Sequence, residues 1–309
     1  MVGGGGGCVC VCMCARARGL SSPLKHSLPP PLFPLPSQAW PKLLELNASL
    51  PSGTPTATPL TPVEEGGLKR MVETLEQTSR FHASRVTSLD CSPLLTKVLA
   101  WPITHVFPGL DALRVLVTHP VGSEVVGSLA PASSLLPRLF QLAAVQEESA
   151  RPAVLLTGRA LFNMALHSHT RALLLSDVPG VLGAATALLR FPHPSVQFTA
   201  TVLLHNMSKA LAEAGGGKGG GGACLSPRDT LLALLAPIQL AATVVKEEEG
   251  KLNLILAIGN ALCMDVEGGK TAIKAAVESG VGALVAGLGG GKSQEAANEV
   301  LGLLKLAAA

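Results

Sequence analysis

The sequence predicts an all-α protein, a solenoid of helical repeats preceded by a disordered N-terminal segment. Three observations indicate this fold. Across residues 64–309, apolar residues recur at spacings of three and four, as they do from Leu110 to Val117, and strand-like alternation is scarce. Glycine or proline interrupts this pattern every 10 to 20 residues. Several of the helical segments also resemble one another at an interval near 43 residues, which is typical of armadillo and HEAT repeats.

The N-terminal segment, residues 1–63, carries 11 of the 23 prolines, including the run PPPLFPLP. Such a run cannot hold a helix and favours the extended polyproline conformation. We therefore expect residues 1–63 to be disordered and residues 64–309 to form the folded domain. Two alternatives stay open for the start of the chain. Its composition resembles a transit peptide, and the closely spaced Cys8, Cys10, Cys12 and Cys14 could be acylated or bind a soft metal.

The charge distribution argues against a nucleic-acid partner. The net charge is +3, and residues 1–63 hold four basic side chains and one acid, so the remaining 246 residues hold 20 of each sign. The folded part therefore has no overall basic field. The longest apolar run, Leu231–Val245, contains Pro237. Its 15 residues are too few for a membrane span. We expect it to be a buried helix, and we expect no nucleic-acid or membrane partner.

Four of the predicted helices align with one another: DALRVLVTHP, LTGRALFNMA, TATVLLHNMS and LILAIGNALC. In this alignment Arg114 and Thr118 match Arg159 and Asn163, and the asparagine recurs in the last two helices. A full unit has a helix beginning near Pro179, a turn at Pro192–Pro194 and a second apolar helix. Each unit exposes an apolar face that its neighbour covers, and the inner helices would line a concave groove. An asparagine there could bind the backbone of an extended peptide, or it could brace a neighbouring helix.

Residues 97–120, KVLAWPITHVFPGLDALRVLVTHP, carry a resemblance to a known family. The landmarks are Trp101–Pro102, Phe107–Pro108, Asp111, Leu113–Arg114 and His119–Pro120. This stretch resembles the opening of the PUL domain, which ends the phospholipase-activating protein and its yeast relatives. The later segments RALFNMALHS and VLLHNMS fit the same pattern, so the resemblance covers roughly residues 70–306.

The resemblance implies an armadillo-like domain whose basic groove takes the acidic C-terminal tail of valosin-containing protein, a hexameric AAA+ unfoldase. It thus implies a non-enzymatic adaptor of ubiquitin-dependent protein turnover, without a cofactor. We expect a monomer in the cytoplasm and the nucleus, with organelle targeting by residues 1–63 as an alternative. The chain has no WD propeller or ubiquitin-binding module ahead of the helical region, so direct ubiquitin binding is not implied.

Arginine suits the proposed groove because its planar fork holds a carboxylate through two hydrogen bonds. Arg114 lies in the matched motif and Arg159 takes the equivalent place one repeat later, although either could instead brace a repeat through Asp111. Two further candidates follow a repeat asparagine by three or four residues and would share its face. The complete predicted set is Arg114, Thr118, Arg159, Asn163, His167, Asn206, Lys209 and Asn260.

Other chemistries find less support in the sequence. Residues 286–293, AGLGGGKS, loosely fit a phosphate loop, but the repeat alignment makes them a turn between two helices. His167 and His169 are two residues apart and would not share a helix face, and no base is evident for Cys91 or Cys263. Two alternatives to the adaptor stay open. The chain could be an accessory domain of a larger thioredoxin- or desumoylating-peptidase-type protein, or a generic armadillo scaffold for another peptide.

Overall fold

The computed structural model describes residues 39–50, 57–77, 92–128, 135–215, 225–264 and 271–308. In these ranges the chain forms α-helices and two short 3-10 turns, with no β-strand, which confirms the all-α prediction. The polyproline run and the cysteines at positions 8 to 14 lie outside the described residues. Cys91 and Cys224 also lie outside them. The disorder and the chemical roles considered for these residues stay predictions.

The chain divides into two compact units, Pro31–Phe191 and Pro192–Ala309. The described part of the first unit contains α1 (Ala39–Ala48), α2 (Pro62–Gln77), α3 (Ser92–Leu99), α4 (Phe107–Leu116), α5 (Pro120–Gly127), α6 (Leu135–Ala143), α7 (Arg151–Met164), α8 (Ser168–Ser176) and α9 (Val178–Arg190). The described part of the second unit contains α10 (Pro194–Gly215), α11 (Pro227–Val244), α12 (Glu248–Cys263), α13 (Thr271–Glu278), α14 (Val281–Leu288) and α15 (Gln294–Ala308).

Proline marks where many of these helices begin. The missing N–H of proline is harmless in the first turn, because the first N–H groups of a helix have no intrahelical partner. The predicted unit with a helix near Pro179 and a turn at Pro192–Pro194 is therefore confirmed, since α9 and α10 begin at these prolines. In the described residues, proline takes the first or second helical position at Pro62, Pro93, Pro108, Pro120, Pro152, Pro179, Pro194 and Pro227.

The four helices that align in the sequence pack in pairs inside each unit, α4 with α7 and α10 with α12. In the second pair, the side chain of Asn253 contacts Thr201 and that of Asn260 contacts Ser208. Both contacts join residues 52 positions apart, so the two helices run in the same direction. Parallel stacking of equivalent helices is what a solenoid-like array of repeats requires.

The helix α1 shows that the predicted boundary at residue 63 is wrong for part of the N-terminal segment. Leu43, Leu46 and Leu50 are buried, and α1 packs against α4. The spacing of three and four that places these leucines on one helix face is present in the sequence, but the high proline content around it hid the helix.

Two local predictions in the second unit are confirmed. The apolar run at Leu231–Val245 forms α11 up to Val244, and this helix contains Pro237 and buries Leu231, Leu234, Leu235, Ile238 and Ala241. The glycine-rich segment after α14 is a turn that leads through the 3-10 turn Gly291–Ser293 into α15. The buried hydroxyl of Ser293 donates to the carbonyl groups of Leu288 and Gly290, so it serves this turn.

No single helix in the described ranges is long and apolar enough to cross a membrane. Two bent helix pairs, α8 with α9 and α13 with α14, reach the required length and hydropathy together.

The close approach between α4 and α5 requires a glycine at position 122. A Cβ atom there would overlap the backbone carbonyl of Leu116, so Gly122→Ala forces the backbone to shift. We expect this substitution to lower the free energy of unfolding by about 1–3 kcal/mol. Gly183, exposed in α9, has no heavy atom near its added Cβ, and Gly183→Ala should raise stability by about 0.5–1 kcal/mol. Denaturant unfolding of both variants checks this, and equal effects would contradict it.

Candidate functional site

One face of α4 carries a row of partly exposed side chains, which we call a stripe. Most other residues of this helix are buried. Asp111, Arg114, Val115 and Thr118 form this stripe, at helix spacings of three and four, beginning in α4 and ending just after it. The opposite face provides the buried leucines of the core. Because these four residues share one side, their polar groups lie along a single partly accessible surface.

The neighbouring helix α7 has a matching stripe. Leu155, Arg159, Phe162 and Leu166 are half-exposed, at positions that follow one another by four, three and four residues. The sequence alignment identified the arginine but missed the apolar residues. Their signal was their helical register with Arg159, because residues at these spacings lie on one helix face. Together the two stripes form what we call the α4–α7 face.

Two hydrogen bonds fix the register between these helices. The buried amide of Asn163 donates through Nδ2 to the backbone carbonyl of Arg114 at 2.8 Å. One turn later, Nε2 of His167 lies 3.0 Å from the backbone carbonyl of Thr118, which can only accept. Both contacts join residues 49 positions apart, so α4 and α7 also run in the same direction. Asn163 thus makes the bracing contact that the sequence left open as an alternative.

The charged groups of the α4–α7 face are two guanidinium groups and one carboxylate. The Nε of Arg114 donates to Oδ1 of Asp111 at 2.5 Å, and both side chains are largely buried. Arg159 lies near this pair. Burial lowers the pKa of Arg159, the positive charge of Arg114 lowers it further, and Asp111 partly offsets both effects. The three groups carry a formal charge of +1, so the face attracts an anion.

A buried histidine lies just behind this face. His119 directly precedes α5 and is 3% exposed. Neither of its ring nitrogens has a hydrogen-bond partner among the described residues. Burial and the nearby His167 lower the pKa of His119. Both effects favour the neutral ring, so the positive charge of the face comes from the arginines and not from this residue.

The remaining predicted site residues lie in the second unit. The side chain of Asn260 is half-exposed and donates to the hydroxyl of Ser208 at 3.0 Å. Asn206 is buried in α10. Lys209 is half-buried, with its Nζ 3.9 Å from a carboxylate oxygen of Glu213 one turn later.

The structure thus places the eight predicted residues in two groups. One group belongs to the first unit and the other to α10 and α12 of the second. In the first group, Arg114, Thr118, Arg159 and His167 are partly exposed, whereas the side chain of Asn163 is buried. The peptide-binding role of all eight stays a prediction, and the partly exposed arginines of the first unit are the groups best placed to contact a ligand.

Comparisons with known proteins bear on this arrangement. The sequence model of the PUL domain matches residues 34–302, which includes α1 and most of the chain. The comparison with curated proteins gave no match. Among solved structures, the crystal structure of an engineered protein is similar, with a TM-score of 0.56 and 17% identity over 86% of this chain and 97% of that chain. At this identity the likeness concerns the fold alone.

The amide of Asn163 offers a test of the register between α4 and α7. Asn163→Ala removes the buried donor to the carbonyl of Arg114, and we expect it to lower the free energy of unfolding by about 1–2 kcal/mol. The matched control is Asn298→Ala on the exposed side of α15, which should stay within about 0.5 kcal/mol of the parent chain. Denaturant unfolding measures both, and a neutral Asn163 variant would show that the bond does not stabilise the register.

A second test concerns pH. Burial, with the charge of Lys209, lowers the pKa of His205 to about 4, although a hydrogen bond with Asn253 opposes this. The unfolded chain binds this proton near pH 6.5, so the stability from the neutral histidine is complete above that pH and is lost as the pH falls towards 4. The shift corresponds to about 3 kcal/mol. Chemical denaturation between pH 7 and 4 should show a steeper loss for the parent chain than for His205→Gln. Parallel curves would contradict this assignment.

Proposed function

Because the chain belongs to the PUL domain family of helical protein-interaction domains, we propose that it is a non-enzymatic adaptor that binds an acidic peptide on the α4–α7 face. The observation that carries this proposal is that Arg159 lies near the ion pair of Arg114 with Asp111. Two cations that are held close together in a half-buried place repel each other. A second carboxylate, supplied by a ligand, would relieve this repulsion.

The electrostatics of the face suit a carboxylate ligand. Arginine binds carboxylates through paired N–H groups, and such charge-assisted hydrogen bonds are stronger when they are partly shielded from water. Arg114 has a side-chain exposure of only 15%, so its contact with a ligand would be shielded in this way. The rigid helices hold both guanidinium groups in advance, which reduces the entropy lost when a flexible peptide binds.

The apolar residues of the α4–α7 face add a second requirement. Leu155 and Phe162 lie on the same helix face as Arg159, Leu166 follows just after the helix, and all three are partly exposed. A ligand that places an apolar side chain beside its carboxylates would cover them and gain from their burial. The ligand class that fits is therefore an acidic segment that contains a large apolar residue.

The partner that we propose is the acidic C-terminal tail of valosin-containing protein, the AAA+ unfoldase. In this role the protein would act in ubiquitin-dependent turnover, in the cytoplasm and nucleus. The residue resemblance at 97–120 and the family match support this choice, and the basic charge of the face agrees with an acidic tail. A scaffold for a different acidic peptide would use the same face.

Arg159→Gln tests the proposal. The change removes the cation and keeps an amide that can form hydrogen bonds, and an unchanged melting temperature shows that the fold is retained. Binding of the unfoldase tail peptide, measured by calorimetry with the full chain, should weaken about 30-fold or more, which corresponds to about 2 kcal/mol. Arg114→Gln is a poorer test because it also removes the ion pair with Asp111.

Two controls make this experiment decisive. Arg190→Gln, at the exposed end of α9, makes the same charge change away from the α4–α7 face and should leave binding unchanged. A tail peptide with its acidic residues changed to amides should bind weakly to every variant. If the parent chain does not bind the tail, the named partner is wrong. If Arg190→Gln weakens binding as much as Arg159→Gln does, the named face is wrong.

A further inference from the structure

Residues 57–61, just before α2, form a short strap. Ala57 and Leu60 are buried, whereas Thr58, Pro59 and Thr61 are exposed. The backbone of the strap is non-helical over these five residues. Two of its side chains therefore attach the strap to the domain, and the other three face solvent.

Two side chains of neighbouring elements hold the strap by its backbone. The buried amide of Asn47 donates through Nδ2 to the carbonyl of Leu60 at 3.1 Å and accepts from the N–H of the same residue at 2.6 Å. The indole of Trp101 donates to the carbonyl of Thr58 at 3.2 Å. Trp101 is fully buried, so its fluorescence reports whether the strap is in place.

The last residue of the strap, Thr61, caps α2 and is the first half of a Thr-Pro pair. Its hydroxyl oxygen accepts a long hydrogen bond from the N–H of Glu64, at 3.3 Å, so the hydroxyl proton is not held by this contact. Pro62 follows directly and Val63 is 81% exposed. Proline-directed protein kinases accept an exposed hydroxyl that directly precedes a proline in a non-helical segment.

Two carboxylates and one lysine lie around Thr61. Oε2 of Glu64 accepts from the N–H of Thr61 and from Nζ of Lys97, each at 2.7 Å. The bond from Lys97 is the main reason that the pKa of Glu64 falls to about 2, so this carboxylate is ionised at neutral pH. Glu65 lies beside it in the first turn of α2. A new anion at position 61 would therefore face two carboxylates and one lysine.

We propose that Thr61 is a phosphorylation site for a proline-directed protein kinase, and that its phosphate loosens the strap from the domain. In the reaction, Oγ1 of Thr61 forms a bond to the γ-phosphorus of ATP, and the bond between this phosphorus and the bridging oxygen breaks. ADP leaves, and the hydroxyl proton passes to the catalytic base of the kinase. The product carries a charge of about −1.5 to −2 at pH 7.

The expected consequence follows from charge repulsion. The phosphate repels Glu64 and competes with it for Lys97, so the capping contacts at the start of α2 weaken. The strap ends at this residue, so weaker capping favours the state in which Leu60 and Asn47 separate. Such a change would couple kinase activity to the packing of α1, α2 and Trp101.

The experiment uses the full chain with a mitogen-activated protein kinase and ATP, followed by mass-spectrometric mapping of the phosphate. The exposed Ser226-Pro227 pair is an internal comparison, because Ser226 also caps a helix through an acidic residue. We expect phosphate at Thr61, its loss in Thr61→Ala and its return in Thr61→Ser. A synthetic peptide of residues 54–66 with Thr54 and Thr58 changed to alanine, which leaves Thr61 in its one Thr-Pro pair, shows whether the kinase accepts the local sequence.

Trp101 supplies the structural readout. The chain has two tryptophans, so Trp40→Phe leaves Trp101 as the one fluorophore of this type. Phosphorylation should shift its emission to longer wavelength, and the Thr61→Ala chain treated in the same way should show no shift. Modification of the peptide or of Ser226 without modification of Thr61 would overturn the site. Phosphate at Thr61 with unchanged emission would overturn its effect on the strap.

Discussion

The register between α4 and α7 is the constraint on which the candidate site depends. Apolar packing brings the two helices together, but the hydrophobic effect is non-directional. The hydrogen bond from Asn163 to the carbonyl of Arg114, and the one between His167 and Thr118, select a single register. A buried amide that lost its partner would leave polar groups without hydrogen bonds, which is costly in a protein interior. The register in turn places the two arginines on one face.

The same arrangement gives the folded part of the chain, which has no overall basic charge, a local excess of positive charge. The folded residues have nearly balanced charge, so no long-range field guides a partner. What the structure provides is local: Arg114 and Arg159 with the carboxylate of Asp111 nearby, partly shielded from water, beside apolar side chains. In such surroundings an ion pair is stronger than it would be in full solvent.

Polar contacts between parallel helices recur in both units. In each contact a side chain of the later helix bonds to the earlier helix. In the first unit, a side chain of the later helix bonds to the backbone of the earlier one, as Asn163 does. In the second, Asn253 and Asn260 bond to the hydroxyl groups of Thr201 and Ser208. In each unit the partners keep a constant separation along the chain, so the contacts act as register marks within an otherwise apolar interface.

The sequence by itself determined the helical class, the repeat of equivalent helices and the positions where they begin, because helix periodicity and proline chemistry are local properties. It also selected Arg114 and Arg159 by their equivalent places in two repeats. Only the tertiary structure decided that α1 belongs to the fold, that Asn163 is a buried brace, and that Leu155 and Phe162 lie beside Arg159 on an accessible face. The alignment paired Asn163 with Thr118, but its contact is with Arg114, one turn earlier. The physical reason is that a repeat fixes which residues are equivalent, whereas packing of two helices fixes which residues touch.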